Sequence, residues 1–126
     1  MLANAPFIAD LGVRLVGVGP DWLETEMAIL PRFRQQHGYV HAGVVTTLAD
    51  HTAGGAASAL VGSGQSVLTA DFTIHLLRPA SGERLRCRGE LVKSGRRLIV
   101  TQADVWDGES HCARYLGAMA VVDQSL

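Results

Sequence analysis

One carboxylate, Asp50, stands within a run of small and apolar residues that extends from Ala42 to Leu60. Val44, Val45, Leu48, Ala49, Thr52, Ala53, Ala56 and Leu60 recur at steps of three and four, which predicts a helix from Ala42 to about Val61 with Asp50 in its interior. Gly43, Thr46, Thr47, Gly54 and Ala57 lie one or two turns away on the same side and leave room for a ligand or a neighbouring chain. The alternative is a solvated helix face. Against it, Gly54-Gly55 costs a helix roughly 1 kcal/mol per Gly relative to Ala, so the pair implies that something approaches the backbone closely.

His37-Gly38-Tyr39-Val40-His41-Ala42-Gly43 leads into this helix and puts free backbone N–H groups and the positive dipole end near His41 to Val44. Such an end can hold a phosphate or a developing oxyanion; an ordinary helix cap uses the same residues. His37 and His41 have a metal-like spacing, but no Glu lies between them and no third ligand is near, so no metal is expected. No other cofactor is expected either. His51 and His75 read as facing side chains or solvent, and no Ser sits in a strand-turn-helix elbow. Lys93-Ser94-Gly95-Arg96-Arg97 is a basic turn that serves either solubility or the phosphates of a carrier.

The elements that must position these groups follow from the pattern on either side. A short helix is expected over 2–11, a strand over 13–18, and a half-buried strand over 22–29 that Pro31 ends. Gly62-Ser63-Gly64 stops the central helix, and strands follow over 66–77, 83–93, 97–106 and 111–122. In the first of these, Leu68, Ala70, Phe72, Ile74 and Leu76 alternate with Thr69, Asp71, Thr73 and His75. Short turns at 78–82, 94–96 and 107–108 suggest a meander of antiparallel hairpins. The expectation is one α+β domain over 1–126, a curved antiparallel sheet wrapped around one long central helix.

With 126 residues, 48% of them hydrophobic, the chain suffices for one core, and a formal charge of -1 provides no global field for nucleic acid or an anionic membrane. The N-terminus lacks the pattern of a secretory signal and the stretch 39–62 is too polar to span a bilayer, so a cytoplasmic location is expected. Cys87 and Cys112 lack metal or redox spacing and read as buried residues.

Gln35-Gln36-His37-Gly38-Tyr39-Val40-His41-Ala42-Gly43, then Leu48-Ala49-Asp50, Leu77-Arg78-Pro79-Ala80 and Gly95-Arg96-Arg97-Leu98, in that order, resemble the phenylacetate-type (PaaI-like) hotdog thioesterases. The resemblance covers most of the chain and implies the hotdog fold and hydrolysis of an acyl-CoA thioester carrying an aryl or short-to-medium acyl group. By that resemblance Asp50, nine positions after His41, is nucleophile or general base, and the N–H of Ala42, with help from Gly43, polarises the thioester carbonyl. Ala42 departs from the usual His-Gly-Gly, and Gln35 stands where the family often has Asn. Gln35 and Thr69 would orient carbonyl or water, while Gly95, Arg96 and Arg97 would meet CoA. Thr46 and Gly54 complete the expected substrate lane. The family is dimeric at minimum and commonly tetrameric, with Asp50 of one chain facing the His41-Ala42-Gly43 loop of another. A non-catalytic acyl-CoA-binding module of the same fold is the alternative; a hotdog hydratase or dehydratase would want a His/Asp or His/Glu pair in a different motif.

Overall fold

A computed structural model describes residues 5–124. Its elements are α1 (Pro6–Leu11), β1 (Arg14–Val18), β2 (Trp22–Ala28), a 3-10 turn (Pro31–Phe33), α2 (Ala42–Ser58), β3 (Gln65–Leu76), β4 (Arg84–Ser94), β5 (Leu98–Asp107) and β6 (Ser110–Asp123). The expected first helix is shorter at its start, where Pro6 fits a first helical position; the part over 1–4 lies outside the described residues. The central helix ends at Ser58, one turn before Gly62, because the chain tightens over 59–61, with Leu60 N–H donating to Ala57 O and Val61 N–H to Ser58 O.

All six strands form one antiparallel sheet in the order β1-β2-β4-β5-β6-β3. Strands β4, β5 and β6 make the expected meander. The β3–β4 connection is not a hairpin: β3 pairs with β6 at the far edge, and the segment 77–83 crosses the end of the sheet. Its backbone is tied down on the way. Leu77 and Arg78 N–H donate to Cys112 O, Ala80 O accepts from Val40 N–H, and Glu83 O accepts from Ile29 N–H. The turn residues at 78–82 thus anchor the entrance of α2 instead of reversing the chain.

Helix α2 packs on one face of the sheet and touches β2, β3, β4, β5 and β6. Val45, Leu48, Ala49, Thr52, Ala53, Ala56 and Ala57 form its buried stripe, and most are small, so the helix backbone rides close to the strands. Ala57 belongs to this stripe, and so leaves the lane of small residues expected around Asp50. Thr52 is fully buried and satisfied: its hydroxyl donates to Leu48 O at 2.8 Å and lies 2.7 Å from Thr25 Oγ1. Opposite it, a Cβ on Gly89 would come within 2.9 Å of the Thr52 carbonyl oxygen. Gly89→Ala is therefore expected to destabilise the fold by about 2 kcal/mol through overpacking against backbone, read as a lower urea midpoint at unchanged slope.

Both cysteines are buried, and burial pushes the Cys87 thiol up to about 12, so neither serves as an accessible nucleophile. Among the described residues no helix is long and apolar enough to cross a membrane.

Candidate active site

Asp50 sits midway along α2 on the flank beside β3. Its Oδ1 accepts two hydrogen bonds, from the Thr69 hydroxyl of β3 at 2.9 Å and the Tyr115 hydroxyl of β6 at 2.7 Å. Among the described residues its Oδ2 has no partner. A groove of about 490 Å³ opens here, lined by Asp50, His51, Gly54, Gly55, Val67 and Thr69 with Ser58 and Ala59 beyond. A Cβ on Gly54 would meet nothing within 4 Å, so within the chain nothing makes the close approach expected at the Gly-Gly pair, and the helix surface next to the carboxylate is open.

Thr69 reaches Asp50 because β3 is irregular. Strict alternation puts Thr69 with Asp71, Thr73 and His75, but the pairing with β6 shifts between Thr69 and Asp71. This bulge leaves residue 70 unmatched and brings Thr69 to the helix-facing side together with Phe72 and Ile74. The Thr69 hydroxyl, expected to orient water, donates to the carboxylate.

Tyr115 is the residue that the sequence reading missed. It is fully buried, its ring stacks on Phe72 at 5.2 Å, and Gly117 beside it leaves the space that its hydroxyl fills. Burial, then the hydrogen bond and charge of Asp50, push its phenol above the usual tyrosine range, so it stays protonated and donates. The available signal was a large polar aromatic on the inward side of β6 with Gly two positions on, where alternation demands an apolar residue.

His51 lines the groove as well, and among the described residues its Nε2 is buried with no partner. Burial lowers its pKa against the opposing pull of Asp50, which keeps the ring neutral near pH 7.

The loop half of the expected site lies at the start of the same helix. His41 caps α2, its Nδ1 accepting from Gly43 N–H at 2.8 Å, while Val44 N–H donates to His41 O. Ala42 N–H is left without a partner among the described residues, at the positive end of a 17-residue helix. The Gly43 N–H is engaged by this cap, and a Cβ on Gly43 would come within 3.0 Å of His41 Nδ1.

Arg34 holds this loop in place through Gly38 O at 2.9 Å, Ser81 O at 3.1 Å and Gly82 O at 2.7 Å. A second hollow, of about 280 Å³, is lined by Gln35, Ala42, Tyr39, Leu76, Arg78 and Cys112. The Gln35 carboxamide oxygen accepts from His37 N–H, which bends it back onto its own loop.

The eight steps from Ala42 to Asp50 correspond to about 12 Å of helix at 1.5 Å per residue. One carbonyl cannot touch both groups within one chain. The Asp50 carboxylate at mid-helix and the Ala42 N–H at the helix start are thus two separate groups within one chain.

Thr46 is half-buried and lines neither hollow, whereas Gly54 lines the acidic one. The Gly95-Arg96-Arg97 turn lies at the same sheet end as the groove, since Leu98 pairs with Ala120 and Ala120 with Leu68. Two strand spacings separate it from Leu68, about 10 Å. Arg96 and Arg97 are exposed, and neither forms an ion pair among the described residues.

Comparison with known proteins bears on the fold and the family. The model of the thioesterase superfamily matches residues 37–113, which span the capping loop, α2 and most of the sheet. A thioesterase family protein from Silicibacter pomeroyi is 36% identical and superimposes with a TM-score of 0.93, covering 97% of this chain and 93% of that one. A thioesterase from Haemophilus influenzae is 26% identical with a TM-score of 0.92, covering 99% and 88%. A phenylacetic acid degradation-related protein from Ralstonia eutropha shares the fold at 23% identity, with a TM-score of 0.87 over 94% and 92%. With one long helix packed on a six-stranded antiparallel sheet and a family match over more than half its length, the chain belongs to the thioesterase superfamily and is a thioester hydrolase of the hotdog fold.

Proposed function

We propose that this protein hydrolyses acyl-CoA thioesters carrying an aryl or short-to-medium acyl group, in a site that two chains share. The observation that carries the reading is the separation of the two half-sites: an Asp50 carboxylate with one oxygen fixed and the other free, and an Ala42 N–H about 12 Å away on the same helix, unpaired among the described residues as that oxygen is. In a two-fold dimer each chain would supply one half to each of two sites.

The thioester carbonyl would point at the partner's Ala42 N–H, where the helix dipole favours negative charge on oxygen. Either Asp50 Oδ2 attacks the carbonyl carbon, giving an anhydride that water then opens, or it takes a proton from a water that attacks. In both cases the C–S bond breaks, the CoA thiolate leaves and acquires a proton, and the free acid remains. Gln35, beside Ala42 in the donor hollow, would orient the carbonyl or the water, and Thr69 would hold the carboxylate. Gly54 and Thr46 would border the path of the substrate.

Strand β3 supports a homo-oligomer. It is twelve residues long, lies at the sheet edge, and exposes Leu68, Phe72 and Leu76. An unpaired edge of that length and apolarity calls for a covering partner. The assembly is read as a dimer at minimum and a tetramer by resemblance, acting in the cytoplasm with neither metal nor cofactor.

A thiol-release screen over aromatic and aliphatic acyl-CoAs tests the reading. Turnover of at least one class is expected; binding without thiol release from any would instead indicate a non-catalytic binding module. For the basic turn, Arg96→Ala with Arg97→Ala is expected to raise KM several-fold with little change in kcat. It should also flatten the dependence of KM on salt, as loss of exposed phosphate contacts would. An unchanged KM would remove the turn from the CoA path.

A further inference from the structure

The two hydroxyls on Asp50 Oδ1 differ in setting. Thr69 lies on the edge strand and is exposed, whereas Tyr115 is fully buried on an inner strand. Phe72 covers one face of the Tyr115 ring, and a Cβ on Gly117 would collide with the phenol oxygen and the ring. The phenol is therefore held in place by packing, while the carboxylate sits on a helix flank open to the groove. A rigid donor on one carboxylate oxygen restricts where the other can point.

We propose that Tyr115 is a positioning residue for thioester hydrolysis: its hydroxyl fixes the Asp50 carboxylate through Oδ1 so that Oδ2 is presented to the substrate. This rests on Asp50 being the reactive carboxylate. Tyr115 does not touch the substrate, and its effect passes through Asp50. The hydrogen bond also favours the charged carboxylate over the neutral acid.

The other titratable groups around the pair are His51 on α2 and Asp71 on β3, both of which remain when Tyr115 is altered. A change in the acid limb of the rate profile then reports the phenol.

Tyr115→Phe keeps the ring against Phe72 and removes only the hydroxyl. It is expected to lower kcat roughly ten- to hundredfold, the range for a hydrogen bond to a charged group, with KM within about twofold. The acid limb of the kcat profile should move to higher pH. A purely structural role would lower Tm and leave that limb in place.

Because the variant removes a buried polar contact, a second measurement uses 3-fluorotyrosine. The chain has two tyrosines, so incorporation into Tyr39→Phe protein labels position 115 alone, and unlabelled Tyr39→Phe protein is the reference because Tyr39 lines the donor hollow. A more acidic phenol donates more strongly, and the acid limb should then move to lower pH, opposite to Tyr115→Phe. Asp50→Asn is assayed alongside. Full turnover by Asp50→Asn would overturn the reading of Asp50 and the role of Tyr115 with it. An inactive Asp50→Asn beside a Tyr115→Phe or fluorinated protein with unchanged kcat and acid limb would overturn the role of Tyr115 alone.

Discussion

Asp50→Asn is expected to lower kcat by about 10³-fold, the middle of the range for loss of a positioned general base. The amide keeps the shape of the carboxylate, and its oxygen can still accept from the Thr69 and Tyr115 hydroxyls, so the fold and the groove should survive. What is lost is a charged Oδ2 able to attack or to take a proton. Affinity for CoA itself should stay within a few-fold, because the basic turn lies two strands away from the groove edge. Steady-state kinetics with the best acyl-CoA, together with CoA binding by calorimetry, checks both parts. A large loss of CoA affinity would place the carboxylate in binding instead of chemistry.

Ala42→Pro is expected to lower kcat by about 10² to 10³-fold, as for removal of one oxyanion donor, with Tm changed by only a few degrees. The substitution is mild for the backbone for specific reasons. Ala42 is the first residue of α2, a position that proline favours, and its N–H has no partner to lose among the described residues. His41 before it already has φ -58° and ψ 135°, the extended conformation that a residue preceding proline adopts. Ala42→Gly retains the N–H and should stay active. If Ala42→Pro were as active as Ala42→Gly, the oxyanion would have to be bound elsewhere.

The sequence disclosed the helix and strands because their apolar periods are clear, and every strand lies within one or two residues of its expected position. It also singled out Asp50, as a charge in a run of small residues, and the capping loop, whose His41 side chain closes the helix start. The order of strands was not legible. The turn at 78–82 looks like a hairpin, and only the pairing in the fold, from Gln65 with Asp123 to Leu76 with Ala113, shows that β3 lies beside β6.

The bulge at residue 70 was hidden for a related reason. A one-residue irregularity leaves both alternating series of β3 intact on paper while exchanging the faces of Thr69 and its neighbours. Tyr115 escaped because its function depends on three elements meeting, α2, β3 and β6, and pattern along one strand carries no such information. Ala57 shows the converse limit: a small residue seven positions after Asp50 fits an open lane as well as a close helix-sheet contact, and packing decided for the second.

The shared site can be tested by mixing the two inactive chains. A heterodimer of Ala42→Pro with Asp50→Asn contains one site built from the Asp50 of the first chain and the Ala42 N–H of the second, both intact, and one site with both groups lost. Random pairing in co-expressed protein should restore about a quarter of wild-type activity, since half of the dimers are mixed and each has one working site. Mass spectrometry of the intact assembly confirms the pairing. Mixed dimers that remain as inactive as either parent would contradict the account, because Asp50 and Ala42 would then not meet across the subunit boundary.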